Sequence, residues 1–104
     1  MKIVAVTACP TGIAHTYMAQ EAIEKECLKR GYEVHVETQG GMGIENELEQ
    51  DVIDDADVVI LAIAVEIEGQ ARFEEKESAG KVLYIEPGEA IRNPGAMIDQ
   101  IESI

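Results

Sequence analysis

The feature that most constrains the fold is a regular series of four short apolar runs, separated by longer stretches with helical or mixed patterns. The runs are rich in Val and Ile and cover residues 2–8, 32–38, 57–64 and 81–86. Strand-length apolar runs that alternate with helical stretches are typical of parallel sheets covered on both faces. The sequence therefore predicts one α/β domain over residues 1–104. Its three layers would be a four-stranded parallel sheet with helices on both faces, a Rossmann-like or flavodoxin-like fold.

The longest helix is predicted between the first two runs, from Gly12 or Ile13 to Arg30. Its spacing of apolar residues places four side chains on one face: Ala19, Ala22, Ile23 and Cys27. Shorter helices are predicted over residues 47–56, 69–73 and 96–101, and the stretch 66–80 is otherwise mixed. The glycine-rich segment 39–43 is predicted to be a flexible loop.

The second run differs from the others because apolar and polar residues alternate strictly along it. Val34 and Val36 share one face, while Glu33, His35 and Glu37 point to the other. This alternation predicts an edge or half-exposed strand with a solvated His35.

Acidic residues dominate the charge of the chain. With 21 Asp and Glu against 8 Lys and Arg, the net charge is −13, which argues against nucleic acid and anionic membranes as direct partners. No apolar stretch approaches the roughly 20 residues needed to span a bilayer, so no direct membrane insertion is expected. The acids at positions 45–57 are interpreted as a solubilising face.

The first 20 residues contain no carboxylate, and Glu21 is the first. A buried strand followed by a tight turn has little room for charge, which is one explanation. The other is a site that receives an anion and excludes carboxylates from its rim.

The two cysteines are predicted to have different roles. Without a secretory pattern they indicate a reducing cytosol, and their number and spacing do not suit zinc. Cys27 lies on the apolar helix face and is interpreted as a packing residue. Cys9 follows the first strand directly and precedes a Pro-Thr-Gly turn.

The segment "ACPTGIAHT", residues 8–16, has the composition of a phosphate cradle. A strand-to-helix loop directs several backbone N–H groups and the positive helix end to one point, and glycine lets the amides converge. The proposed phosphate-binding residues are Pro10, Thr11, Gly12, Ile13, Ala14, His15 and Thr16. A helix N-terminus or a nearby cation lowers a thiol pKa, so Cys9 is a candidate nucleophile, with His15 close enough in sequence to assist it.

Residues 8–24 resemble the enzyme IIB component of the bacterial phosphoenolpyruvate-dependent sugar phosphotransferase system, in its fructose-specific branch. The resemblance extends to "VETQGGMG" (36–43), "ADVVILA" (56–62) and the pair Arg72-Phe73. It implies that Cys9 accepts a phosphoryl group from a phosphohistidine on enzyme IIA. It also implies that Cys9 passes the group to a sugar held by the membrane enzyme IIC, and that Gln39 and Gly40 form a second rim of the same site.

The resemblance also implies a cytoplasmic protein that meets the inner face of the membrane through enzyme IIC. No metal or cofactor is expected, and the isolated domain is expected to be a monomer. Fructose is the favoured sugar, with mannose-type and glycerate-linked sugars as alternatives. The family often has an acid where this chain has Ala64 and Gly-Lys after the Arg-Phe pair, so the loop over residues 64–77 departs from the pattern.

Two other classes compete with a phosphoryl carrier. A cysteine phosphatase or arsenate-reductase-like enzyme would have Arg where this chain has His15, and Asp54, Asp55 and Asp57 are predicted at the far end of the sheet. A thiol sensor or anion-binding module would need a resolving cysteine near Cys9, and Cys27 lies several helical turns away.

Two further residues have open interpretations. Arg72 would either screen the phosphate or pair with a surface acid. Met42 would be a docking contact or a loosely packed loop residue.

Overall fold

The sheet of the computed structural model, which describes residues 1–10 and 13–104, has five strands. They are β1 (Lys2–Ala8), β2 (Glu33–Gly40), β3 (Gly43–Glu45), β4 (Val58–Ile63) and β5 (Val82–Ile85). The helices are α1 (Ile13–Lys29), α2 (Gln50–Asp55), α3 (Glu74–Ser78), α4 (Pro87–Arg92) and α5 (Pro94–Glu102), with a 3₁₀ turn at Gln70–Phe73. The three-layer α/β class predicted from the sequence is confirmed.

The strands are ordered β3-β2-β1-β4-β5, and the four long ones are parallel, as predicted. The fifth strand is a correction, because β3 pairs antiparallel with β2 and takes the outer edge. Residues 39–43 therefore form the tip of a hairpin and not a flexible loop. Gly43 has φ of 90°, a conformation that few side chains tolerate, and this explains a glycine at the start of β3.

Two apolar clusters fill the space on the two faces of the sheet. One contains Ile3 and Ala5 of β1 packed against α1, α4 and α5. The other contains Val4, Val6 and Ala8 packed against α2 and the 3₁₀ turn. Successive side chains of β1 point to opposite faces, and both faces are buried, so residues 3–8 are apolar except for Thr7.

The sequence predicts α1 correctly but misses α4. α1 begins and ends within one residue of its predicted limits, and Ala19, Ile23 and Cys27 of its apolar face are fully buried. The Pro87-Gly88 pair, read from the sequence as a break, instead opens α4, since proline is well accommodated at the first helical position. Among the described residues, no helix has the length and apolar character needed to cross a membrane.

The topology singles out the carboxyl end of β1. The chain leaves β1 through α1 to β2 on one side, and later returns to β4 on the other side. The direction of winding therefore reverses between β1 and β4, and such switch points are where open parallel sheets bind ligands. Cys9 is the first residue after β1.

Candidate functional site at the carboxyl end of the central strand

Cys9 lies at the edge where the central strands end. Its neighbour Ala8 is paired with Gln39 on one side and Ile63 on the other, and the Ala8 carbonyl accepts a hydrogen bond from the Ala64 amide at 2.9 Å. Cys9 itself is half-buried. The strand ladder thus fixes its backbone on both sides, while the thiol keeps access to solvent.

His15 is the side chain that the structure brings to the thiol. It projects from the first turn of α1, and its Nδ1 lies 3.4 Å from Cys9 Sγ, which is hydrogen-bonding distance for sulfur. The imidazole is half-buried. A ring N–H at this position donates to a thiolate, and a bare ring nitrogen accepts from a thiol. The approach expected from the spacing of the two residues is therefore present.

The proposed cradle is described only in part. Thr11 and Gly12 lie outside the described residues, and Ile13 is described only as the first residue of α1. Pro10 and Ala14 are exposed on either side of them. The first amides of a helix lack intrahelical acceptors, so the start of α1 provides donors next to Cys9.

Thr16 has a buried position in this site, with 1% of its surface exposed. Its carbonyl accepts a hydrogen bond from the Thr7 hydroxyl at 3.1 Å, which ties α1 to β1. Its own Oγ1 has no hydrogen-bond partner in the described part of the chain. Gly40 lies directly against it, since a Cβ added to Gly40 would sit 3.7 Å from Thr16 Oγ1. Thr16 and Gly40, both proposed from the sequence, are therefore neighbours.

Gln39 connects the end of β2 to the loop that follows β4. Its Nε2 donates to the Glu68 carbonyl at 3.0 Å, and its Oε1 accepts from the Glu68 amide at 2.8 Å. The same Nε2 donates to Glu37 at 2.6 Å. Gln39 thus fixes the rim loop over residues 64–69 beside the strand that carries Cys9.

Behind this rim lies a buried ion pair that the sequence analysis missed. Arg72 Nη1 and Nη2 donate to Glu37 Oε1 and Oε2 at 2.8 and 3.0 Å, and the Leu48 amide donates to Oε1 at 2.7 Å. The Glu37 side chain has no exposed surface, and that of Arg72 is 16% exposed. Burial by itself would raise the pKa of Glu37, but these donors, with Gln39, hold it below its usual value.

This pair corrects two expectations. Glu37 shares the face of Glu33 and His35, as predicted, but the Leu48 segment and Arg72 cover it, so it is not solvated. Arg72 uses all five of its N–H groups, because Nε donates to Gly69, Nη1 also to Leu48 and Nη2 also to Glu68. Arg72 therefore pairs with an acid, as one of the two interpretations had it, but that acid is buried and not on the surface.

The remaining expectations have simpler outcomes. His35 is exposed beside Glu33, and Met42 is 70% exposed at the hairpin tip. Cys27 is fully buried, and desolvation raises its pKa to about 12, as suits a packing residue. Of the acids at 45–57, Glu45 is not solvated freely, since it accepts hydrogen bonds from Tyr17 and Thr38. Asp54, Asp55 and Asp57 lie at the opposite end of the sheet, where Asp55 and Asp57 bind Lys2 at the start of β1.

Comparison with known proteins agrees with this arrangement. Residues 4–100 match the family model of the PTS lactose/cellobiose-specific IIB subunit. The PTS system fructose-like EIIB component 2 of Escherichia coli (strain K12) is 43% identical over 98% of this chain and 92% of its own length. Component 1 of the same organism is 41% identical over 99% of this chain and 92% of its own length.

Solved structures give the same result. A domain of the fructose-specific IIABC component from Borrelia burgdorferi superposes with a TM-score of 0.87 at 48% identity, covering 98% of this chain and 93% of that one. A protein described as a predicted fructose-specific IIB from Escherichia coli superposes with a TM-score of 0.90 at 38% identity, covering 98% of this chain and 87% of that one. The chain therefore belongs to the PTS IIB family, as a IIB component of a fructose-like system.

Proposed function

We propose that the protein carries a phosphoryl group on Cys9, between a phosphohistidine of enzyme IIA and a sugar held by the membrane enzyme IIC. Fructose is the favoured sugar, in keeping with the names of the relatives. The observation that supports this most is the 3.4 Å contact between Cys9 Sγ and His15 Nδ1 at the switch point of the sheet. The protein would act in the cytoplasm, where enzyme IIC brings it to the membrane.

In the first step, the Cys9 thiolate attacks the phosphorus of the donor. The S–P bond forms as the N–P bond breaks, and the electron pair of that bond stays on the donor nitrogen. The donor ring, protonated on its other nitrogen, leaves neutral. His15 donates a hydrogen bond to the thiolate and so favours the nucleophilic form, while the amides at the start of α1 face the phosphoryl oxygens.

In the second step, a sugar hydroxyl attacks the phosphorus of phosphocysteine. The O–P bond forms, the S–P bond breaks, and its electron pair returns to Sγ as thiolate. The hydroxyl proton passes to a base on the acceptor side. No group of this chain has to activate water, and a carrier that avoided doing so would preserve the phosphoryl group.

The local chemistry favours a carrier over a phosphatase. His15 occupies the position where a phosphatase loop has arginine, and an imidazole cannot hold two phosphoryl oxygens in a planar fork. The aspartates that could protonate a leaving group bind Lys2 at the other end of β1.

Phosphorylation by a phosphohistidine donor tests the proposal directly. Intact-mass spectrometry should show one added phosphoryl group on the wild-type chain and none on Cys9→Ser. Cys27→Ala is the matched control, since it removes the other cysteine and keeps the acceptor. A phosphorylated Cys9→Ser, or a wild-type chain that stays unmodified, would contradict the proposal. Steady release of phosphate from an aryl phosphate, abolished by Cys9→Ser, would indicate a phosphatase instead.

A second test concerns His15. Loss of a hydrogen bond to a charged group costs about 1.5–3 kcal/mol, so His15→Ala should slow phosphoryl acceptance about tenfold to a hundredfold. Thermal unfolding should change little. His35→Ala removes the exposed histidine of β2 and should leave the rate unchanged. If His15→Ala lost rate and stability in proportion, His15 would be structural.

A further inference from the structure

A phosphoryl group on Cys9 would place up to roughly two more negative charges on a chain whose net charge is already −13. Hydrogen bonds from His15 and from the helix amides stabilise this charge in part, and the Lys and Arg side chains are the further groups that can neutralise it. The positions of these basic side chains decide which of them can reach a phosphoryl group on Cys9. The chain has eight Lys and Arg residues, and the structure describes all of them.

Three of the eight lie at the amino end of the sheet, opposite Cys9. Lys2 begins β1 and forms an ion pair with Asp55. Lys76 donates to the carbonyl of Asp54, next to that pair. Lys81 directly precedes β5, so it also lies at the amino edge.

Four more are distant from the site or fully engaged. Three of them lie at or just after the far end of α1: Lys25, Lys29 and Arg30. Lys25 comes first and is already about 18 Å along the helix axis from Ile13, where α1 begins. Arg72 is close to the rim, but all five of its N–H groups already have acceptors. This leaves Arg92.

Arg92 is the last residue of α4, and its guanidinium folds back over the first turn of that helix. A Cβ added to Gly88 would lie 3.2 Å from Arg92 Nη1 and 3.7 Å from His15 Cε1. The guanidinium and the imidazole therefore approach the same glycine, which leaves the space between them open. His15 Cε1 is bonded to the Nδ1 that contacts Cys9 Sγ.

Among residues 1–10 and 13–104, Arg92 has one ion pair, which is weak. Its side chain is 68% exposed, and its partner Glu89 is a surface acid at 2.9 Å. Exposed pairs of this kind contribute little to stability, because solvent screens them and two flexible side chains must be ordered. Glu89 also accepts a hydrogen bond from the Asn93 amide at 3.0 Å, so it keeps a partner when Arg92 moves.

We infer that Arg92 binds the phosphoryl group on Cys9, turning from Glu89 across Gly88 once the group has been transferred. The inference rests on the proposed function, since it requires phosphocysteine at position 9. Arg92 makes and breaks no covalent bond. Its guanidinium stops donating to the Glu89 carboxylate and donates to the phosphoryl oxygens instead. Arg92 would thereby favour the phosphorylated form of this chain over the phosphorylated donor.

The test measures the equilibrium ratio of phosphorylated to unmodified chain in the presence of the phosphohistidine donor. Arg92→Gln should lower this ratio about threefold to tenfold, because a charge-assisted hydrogen bond is lost at a site where solvent weakens it. Arg92→Lys should restore part of it. Lys25→Gln is the matched control, because it removes the same charge from an exposed position on α1 and should leave the ratio unchanged.

The outcomes separate this inference from the function on which it rests. If the wild-type chain takes up no phosphoryl group, the proposed function fails. If it does, and Arg92→Gln has the wild-type ratio, only the role of Arg92 is overturned. A higher KM for the donor with an unchanged ratio would also overturn it, because Arg92 would then be a docking contact. Glu89→Gln frees the guanidinium and should raise the ratio, and a lower ratio would count against the inference.

Discussion

At the scale of single residues, the two cysteines show how the same side chain acquires different chemistry. Cys9 is half-buried at the end of β1 beside His15, whereas Cys27 is enclosed by α1 and the sheet. Burial raises the pKa of Cys27 to about 12, so its thiolate is scarce at neutral pH. Reactivity follows the thiolate, which predicts a sharp difference between them.

Brief alkylation with iodoacetamide at pH 7 should therefore modify Cys9 about two orders of magnitude faster than Cys27. Peptide mass spectrometry resolves the two sites, since Cys9 lies before α1 and Cys27 lies near the end of α1. In urea both should react at similar rates, which serves as the control. Comparable rates in the native protein would mean that α1 opens frequently.

The buried pair of Glu37 and Arg72 carries a prediction at the same scale. Removing one partner of a buried ion pair costs about 3–5 kcal/mol, since it leaves the other charge uncompensated. Glu37→Gln should lower the free energy of unfolding by about that amount, as measured with urea. Glu33→Gln lies on the same strand and face but is exposed, and it should change stability by less than about 0.5 kcal/mol.

The pH dependence of stability should show the same pair. The pKa of Glu37 is lower in the folded chain than in the unfolded one, where glutamate titrates near about 4.3. Its contribution is therefore complete above that value and is lost as the pH falls through the lower, folded pKa. The Glu37→Gln variant lacks this carboxyl group, so the corresponding fall in its free energy of unfolding at low pH should be absent. An unchanged pH profile in the variant would mean that other carboxylates control acid unfolding.

At the scale of elements, the sequence predicted what depends on local pattern. The four parallel strands and α1 have strong apolar periodicity, and their positions are confirmed. β3 was missed because three residues, Gly43–Glu45, hold too little pattern to be recognised, and its pairing with β2 fixes it. α4 was missed because a Pro-Gly pair reads as a break.

The residues of the candidate site also differ in whether a local pattern could predict them. Cys9 and His15 are six residues apart, so the approach of their side chains could be inferred from the chain itself. Glu37 and Arg72 are 35 residues apart, and no local signal distinguishes a buried Glu37 from its exposed neighbours. Arg92 is nearer the end of the chain, and only the packing of α4 against α1 brings it to His15.

The loop before the 3₁₀ turn gives a prediction at this scale. Gly69 has φ of 73°, and a Cβ there would clash with Arg72 Nε, whereas Gly80 has φ of 71° and open space around it. Gly80→Ala should cost about 1–2 kcal/mol for the left-handed backbone alone. Gly69→Ala should cost about 1–3 kcal/mol more, because it displaces the guanidinium from Glu37. Equal losses in urea unfolding would show that Arg72 moves aside at little cost.

At the scale of the whole molecule, charge and topology are arranged around one edge of the sheet. The central strand ends at Cys9, and the first 20 residues bring no carboxylate there. Apart from the buried Glu37, the acids are spread over the other segments of the chain, where eight basic groups can pair with only part of the 21 carboxylates. An anion at Cys9 therefore meets no carboxylate from its own segment of the chain, but it lies in the negative field of the whole molecule.

That field should destabilise the folded chain, because a large net charge of one sign repels itself most in the compact state. Salt shortens the screening length from about 30 Å at 0.01 M to about 8 Å at 0.15 M, which weakens this repulsion. Sodium chloride over this range should therefore raise Tm by about 4–8 °C for each 1 kcal/mol of repulsion removed. Chloride is the suitable anion, since phosphate and sulfate would also bind at the proposed phosphate site. Choline chloride should have the same effect if screening is the cause, whereas a Tm that falls with salt would show that the surface ion pairs outweigh the repulsion.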